Sequence, residues 1–319
     1  MSTAGSFAGQ TFRVSGSGHC LTSLYVSLQS ESIARQDFKG GDSNVEACVS
    51  LNLILKPLRT AVTVFLCLAV LAVPAAMAAQ ARERITVAAA ADLNFVLPEI
   101  AAAFERTAGI GVQPVFGSSG NFYAQIRNGA PFDVFLSANL DYPERLAREG
   151  FGVPDSLLRY ARGTLVLWVP NRLGLDPAQG LQLLLRPEVH KVAMANPAHA
   201  PYGQAAEAAL RSSGLYDAVK PKLILGENIS QTAQFVQSGN AEAGLLSLSL
   251  VRGQPMESQG RYWTVPDSLY PPLDQGAVLL KSAAHQAAGR KFLEFLASAQ
   301  GREILARHGF RRPSGESSK

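Results

Sequence analysis

Residues Ile85–Phe122 read ITVAAAADLNFVLPEIAAAFERTAGIGVQPVFGSSGNF. Ile85–Ala91 is a short apolar run, which predicts a buried strand. Leu97, Ile100, Ala101 and Phe104 then recur at helical spacing as far as Gly109, a helix stop. Val112–Phe116 predicts a second strand, and Gly117-Ser118-Ser119-Gly120 opens a second helix that ends at Asn128-Gly129. Strands and helices alternating at this length call for an α/β fold, a mainly parallel sheet with helices on both faces.

The alternation continues outward. Val134–Ser137 predicts a strand, followed by Asp141 and Glu144 as an acidic capping box for a helix over Tyr142–Arg148. Further strands are expected at Leu165–Val169, Lys191–Ala195, Leu223–Leu225, Gly244–Leu250 and Ala277–Leu280. Leu158–Gly163 and Val265–Gln275, the latter holding Pro266, Pro271 and Pro272, read as paired connectors. They would divide the chain into lobe one, residues 83–161 plus 266–319, and lobe two, residues 162–265, with a cleft spanned by two hinge crossovers. Ser282–Phe310 is amphipathic and is expected to form two short helices that cover a core.

The chain has 319 residues, 47% hydrophobic and 17% charged, which is too apolar for a disordered protein. Its net charge of +4 comes from 29 Lys+Arg and 25 Asp+Glu spread along the chain, without a basic block to follow a nucleic-acid backbone. The three cysteines, Cys20, Cys48 and Cys67, all lie early, so no thiol chemistry is expected in the later part. Lys56 and Arg59 precede the apolar run Ala61–Val73, then Pro74 and Ala76-Met77-Ala78, the order of a secretory signal over residues 56–78 cut near Ala78. The run has 13 residues, short of the roughly 20 that span a bilayer, so a soluble exported protein is expected. Residues 1–55 are a Gly/Ser-rich unstructured leader that fits an over-extended start.

The strand-to-helix junctions hold the chemistry: Ala91-Asp92-Leu93-Asn94, Gly117-Ser118-Ser119-Gly120-Asn121, His199-Ala200-Pro201-Tyr202-Gly203 and Glu227-Asn228-Ile229-Ser230. In open α/β sheets ligands bind beyond the carboxyl ends of the strands, where helix starts present unpaired N–H groups. Two junctions fall in each expected lobe, so a closing cleft would surround a compact anion with N–H and hydroxyl donors. The four stretches contain no Lys or Arg, which disfavours a phosphate-ester site held by point charges. Half a dozen hydrogen bonds to an ion, each contributing roughly 1.5–3 kcal/mol, would suffice for micromolar binding.

Over Ile85–Phe310 these residues resemble the periplasmic molybdate-binding proteins of ABC importers. The resemblance lies in ITVAAAADL, in GSSG with AQIRNGAPFDVFLSA after it, and in ANPAHAPYG. It implies the two-lobed type II periplasmic binding fold, molybdate or tungstate as ligand, and a membrane permease with its ATPase as partners. By motif, the oxyanion-binding positions fall at Asp92, Ser119, Tyr202 and Ile229, with Ser118 and Ser247 as weaker candidates. A metal enters only as the oxyanion, no cofactor is implied, and a monomer is the simplest expectation for a diffusing periplasmic receptor.

Asp92 is the unusual member, because a carboxylate at 4 Å from an anionic oxygen is repelled by about 4 kcal/mol per charge pair at an effective dielectric near 20. Either it turns away to cap its own helix, the expected arrangement, or it accepts a hydrogen bond from a protonated ligand such as hydrogen phosphate. Phosphate or sulfate is therefore the alternative ligand class. An exported serine hydrolase using Ser118 or Ser119 is the alternative of another kind, although nothing in the sequence brings a histidine to either serine. His190, His199, His285 and His308 lack metal-ligand spacing and read as surface or capping residues. Tyr262, Trp263 and Tyr270 read as hinge and core packing, and Arg290-Lys291 and Arg311-Arg312 as solvated.

Overall fold

The structure is a computed structural model that describes residues 83–313. The leader, signal and cleavage readings, and the three cysteines, lie outside the described residues. Two five-stranded sheets carry the fold. In the first the order is β2 (Gly111–Gly117), β1 (Arg84–Ala90), β3 (Val134–Ser137), β10 (Asp274–Leu279), β4 (Leu158–Arg162). In the second it is β7 (Leu223–Gly226), β6 (Val192–Ala195), β8 (Ala243–Ser247), β5 (Leu165–Pro170), β9 (Gly260–Thr264).

The two orders are the same pattern. In each, three parallel strands are followed by one reversed strand, β10 or β5, and then by an edge strand antiparallel to it. The sheets are thus mixed, with four strands running one way and one against them. The reversed strand is the one the chain enters as it changes sheets: it leaves β4 through Gly163 and Thr164 into β5, and returns from β9 through residues 265–273 into β10.

Among the described residues, seven α-helices of eight or more residues cover the sheets: α1 (Val96–Ala108), α2 (Ser119–Arg127), α3 (Asp141–Arg148), α4 (Pro201–Ser212), α5 (Ile229–Gln237), α6 (Gln286–Ala297) and α7 (Ala299–Arg307). The buried face of α1 holds Leu97, Ile100 and Phe104, whose ring meets Phe292 of α6 edge-on at 5.3 Å between centroids. The helices expected over Ser282–Phe310 are α6 and α7. Trp168, on β5, is the largest buried side chain of the second sheet's core.

Several local expectations change. Leu158–Gly163 is mostly strand β4, because its main chain pairs with β10 although Arg159 and Arg162 obscure any apolar pattern. Asp141 does not cap α3: it is the first residue of that helix, after Leu140 at the cap position, and its N–H donates to Asn139 Oδ1 at 2.9 Å. The strand expected to reach Leu250 stops at Ser247, whose hydroxyl caps the helical turn Leu248–Val251. Arg311 is not free in solvent: its guanidinium makes two bonds to Asp267, at 2.7 and 2.9 Å, and its main chain bridges to Arg162. His308 and Arg307 both engage Glu99, holding α7 to α1 and drawing the Glu99 carboxyl below its usual range.

Gly203 shows how closely helix and sheet meet. A Cβ there would collide with the Ala195 carbonyl at the end of β6, so α4 can start against the strand only with glycine in its first turn. Gly203→Ala is expected to lower stability by about 1–3 kcal/mol, read as a shift in the denaturant midpoint with unchanged slope.

Candidate functional site

Four junctions meet at one small pocket. Its lining includes Ala91 and Asp92 after β1, Ser118 and Ser119 after β2, Pro201 and Tyr202 at the start of α4, and Asn228 and Ile229 at the start of α5. The cavity volume is about 10 Å3, far below the roughly 300–1,000 Å3 of sites for larger organic ligands. Segments that follow strands of both sheets line the pocket, so that it lies beyond the carboxyl ends of parallel strands.

The donors are largely main-chain groups. Ser119 and Ile229 are the first residues of α2 and α5, and Tyr202 is the second of α4, positions whose N–H groups have no partner within a helix. At α5 the Asn228 carboxamide accepts from the N–H groups of Ser230 and Gln231, both at 3.0 Å, leaving the N–H of Ile229 to the pocket. Pro201 has no N–H to lose at the start of α4 and fixes its φ there. Ser119 is buried; its Oγ accepts from the Ala138 N–H at 3.0 Å, which orients the hydroxyl proton away from that bond. No Lys, Arg or His side chain lines the pocket among the described residues.

Asp92 departs from its expected role. It lies in the 3-10 turn Ala91–Leu93, which has no side-chain cap, and its carboxyl is buried. Oδ2 accepts from Gln275 Nε2 of β10 at 2.8 Å, and Gln275 Oε1 accepts from the Tyr160 hydroxyl of β4 at 2.9 Å. A register shift between Gln275 and Gly276 interrupts the pairing of β10 with β4 beside this carboxamide. The Tyr202 phenol stands against the carboxyl, yet neither Tyr202 Oη nor Asp92 Oδ1 closes a hydrogen bond of regular geometry. Burial pushes the Asp92 carboxyl up from 3.8 to about 6, against the opposing pull of Gln275 and Tyr202. Burial raises Tyr160 and Tyr202 well above the ordinary phenol range, and the charge of Asp92 adds to it.

Ser247 does not line the pocket. It is buried at the end of β8; Ser249 donates its one hydroxyl proton to the Asp92 carbonyl at 2.8 Å and therefore accepts from the Ser247 hydroxyl at 3.1 Å. Ser118 does line it, but its hydroxyl donates to the His199 carbonyl.

The sequence reading missed the contacts that close the mouth. Asn94 bonds Ser230, the Gly120 N–H donates to the His199 carbonyl at 2.9 Å, and Asn121 donates to Glu227. His199, expected at the surface, is mostly buried here, with Nδ1 at 3.0 Å from Ser118 Oγ and Nε2 at 3.6 Å from Glu227. The only cue was that all these residues sit in the four junctions. Ser118, His199 and Glu227 line up as a nucleophile, base and carboxylate would, but the serine proton is already given to a main-chain carbonyl. Tyr270 packs at the return crossover, where its hydroxyl donates to Asp267 and accepts from the Leu165 N–H.

Two similar lobes joined by two crossovers, with helix starts from both around one small basic-free pocket, define a solute-binding protein suited to a compact anion. The chain belongs to the bacterial extracellular solute-binding protein family, whose model matches residues 85–311, and within it groups with the ModA proteins. It is 41% identical over 226 residues to the molybdate-binding protein ModA of Rhodobacter capsulatus, covering 70% of this chain and 87% of that one. It is likewise 41% identical over 235 residues to ModA of Azotobacter vinelandii, covering 74% and 92%. The solved periplasmic molybdate-binding protein of Azotobacter vinelandii superposes with a TM-score of 0.67 at 32% identity, over 72% of this chain and all of that one. The family binds solutes rather than transforming them, so the hydrolase alternative is set aside.

Because folding raises the Asp92 pKa, the folded protein holds that proton more tightly than the unfolded chain. The stability contribution is complete below pH 3.8 and is lost as pH rises through about 6. That interval corresponds to roughly 3 kcal/mol. Asp92→Asn is therefore expected to be more stable than the native protein by up to about this amount at pH 8 and equal to it near pH 4, measured by urea unfolding at both pH values.

Proposed function

We propose that this chain is the periplasmic receptor of an ABC importer that captures molybdate, with tungstate as an equivalent ligand, and hands it to a membrane permease and its ATPase. The observation that carries the reading is the meeting of the α2, α4 and α5 starts and the Ala91–Leu93 turn on one small pocket without a basic side chain. The 41% identity to two molybdate-binding proteins supports the choice of anion. A tetrahedral dianion offers only acceptor oxygens, and this pocket offers chiefly donors: the N–H groups at Ser119, Tyr202 and Ile229 and the Ser119 hydroxyl. Asp92 stands beside the anion, Ser118 serves the closed contact with His199, and Ser247 acts indirectly, through Ser249, on the Asp92 main chain.

In this reading residues 83–161 plus 266–319 form one lobe and 162–265 the other, turning about the two crossovers to admit the ligand. Residues 56–78 direct export, and cleavage near Ala78 then releases the receptor. Neutral, fixed donors favour an anion whose oxygens match their directions, so phosphate or sulfate is the competing ligand class.

Calorimetric titration of the purified, ligand-free chain with molybdate, tungstate, sulfate and phosphate tests the reading. One-to-one binding of molybdate and tungstate well above sulfate and phosphate is expected, and phosphate or sulfate binding alone would replace the assigned ligand. Ser119→Ala should weaken molybdate by about ten- to hundredfold, the equivalent of one hydrogen bond to an ion. Gly120→Ala tests closure: the new Cβ would stand 2.6 Å from the His199 carbonyl. It should cost at least about tenfold in affinity, mainly through faster release.

A further inference from the structure

A buried carboxyl at an anion pocket poses a question of charge that the main-chain donors do not answer. Among the residues lining the pocket Asp92 alone carries an ionisable carboxyl, and it faces no cation. The groups packed against it are Gln275 from β10, Tyr160 from β4 through that carboxamide, Tyr202 from α4, and Ser249 on its main-chain oxygen. The titratable ones are the two phenols, both neutral. The charged groups on those same two strands engage one another, Arg162 and Arg159 of β4 standing 2.8 and 3.8 Å from Asp274 of β10. His199, just before α4, turns to Ser118 and Glu227.

The two carboxyl oxygens are not equivalent. Oδ2 is bound by Gln275, which as an amide N–H donor serves only an oxygen that accepts. Oδ1 is fully buried, closes no hydrogen bond of regular geometry, and belongs to a residue that lines the pocket. Tyr202 Oη, from the other lobe, is buried against the same carboxyl, also without a bond of regular geometry. A proton on Oδ1 would convert a charged acceptor at the pocket into a donor and would remove a negative charge from beside the anion.

We propose that Asp92 holds the captured oxyanion as the neutral carboxylic acid, so that each anion enters with one proton taken from solvent onto Asp92 Oδ1. This rests on the anion-receptor reading. The proton comes from water or buffer, Oδ1–H then donates to an anion oxygen, and Oδ2 keeps its bond from Gln275. The closed pocket thus gains one negative charge rather than two when a dianion binds. The ligand-free carboxyl, already pushed up to about 6 by burial, is mostly ionised at neutral pH, so uptake is visible there. Asp92 is on this account a specificity residue: it accepts anions that offer an oxygen lone pair at that point and adds a pH dependence that the N–H groups alone would not give.

The test is calorimetry of molybdate binding to the full chain at about pH 7.5 in two buffers of different ionisation enthalpy, with affinities followed from about pH 6.5 to 8.5. Molybdate is itself fully deprotonated in that range. Uptake of close to one proton per molybdate is expected, with affinity falling about tenfold per pH unit. Asp92→Asn should abolish the uptake, flatten the pH dependence and bind more tightly than the native protein at the alkaline end. An infrared difference spectrum of the native protein should also show a protonated carboxyl band growing on binding, a readout that does not need the variant to fold. Binding with no proton uptake and no pH dependence, or uptake that persists in Asp92→Asn, overturns the proposal and leaves the receptor reading standing. Silence toward molybdate, tungstate, sulfate and phosphate alike removes that reading and the proposal with it.

Discussion

The first N–H groups of a helix have no partners inside it, and in this fold three long helices and one short turn begin at the same place. Buried without partners, those groups would be costly; turned toward an anion, they become a binding site with no basic side chain. Much of the architecture follows from bringing them together. Each sheet must end parallel strands at the cleft so that the next helix starts there, which explains why β1 and β2 in one lobe are matched by β6 and β7 in the other. The repeated order of the sheets, with one reversed strand beside the parallel trio, lets the chain cross twice between lobes without closing the mouth.

The crossovers are tied to the pocket. Tyr160 lies just before the outgoing crossover and Gln275 just after the returning one begins its strand, and together they reach Asp92 in the first lobe. Gly163, in the outgoing crossover, packs on the Tyr202 phenol of the second lobe. One buried polar cluster therefore touches both crossovers, both lobes and the pocket wall. Such a network is sensitive to any change at a single member, because in a low-dielectric setting an unpaired polar atom costs more than a satisfied one returns. Motion of the lobes and protonation of Asp92 are, physically, changes to the same set of contacts.

The division between what the sequence discloses and what it conceals follows sequence distance. Strands β1, β3, β5 and β6 are apolar runs buried on both faces, and a continuous apolar run is visible without partners. The edge strands β4 and β9 carry Arg159, Arg162 and Arg261 on half-exposed backbone, so only their hydrogen-bonded neighbours reveal them. The four junctions were legible for the same reason as the helices: Ser, Asn, Pro and Gly at helix starts are local signals. The use made of those junctions was not. Asp92 meets Gln275 across 183 positions, and Ser118 meets His199 across 81, distances at which no local pattern constrains a partner. Asp92 reads locally as a helix cap because that is what an aspartate after a strand commonly does; the distant carboxamide of Gln275 makes the other choice.

The absence of a basic side chain at the pocket also shapes which ligands it can favour. A lysine or arginine would attract any anion through its net charge and would discriminate little among shapes. Main-chain donors fixed by helices and strands reward only an anion whose oxygens lie where the N–H groups point, and they need no rearrangement to do so. Asp92 sharpens that choice. As a carboxylate it penalises every anion alike, and as a carboxylic acid it rewards one that presents a further acceptor oxygen at the bottom of the pocket. Selection then depends on oxygen number and direction, with overall charge in a secondary role, which is what a receptor must achieve to pick one tetrahedral oxyanion from a mixture of others of the same charge.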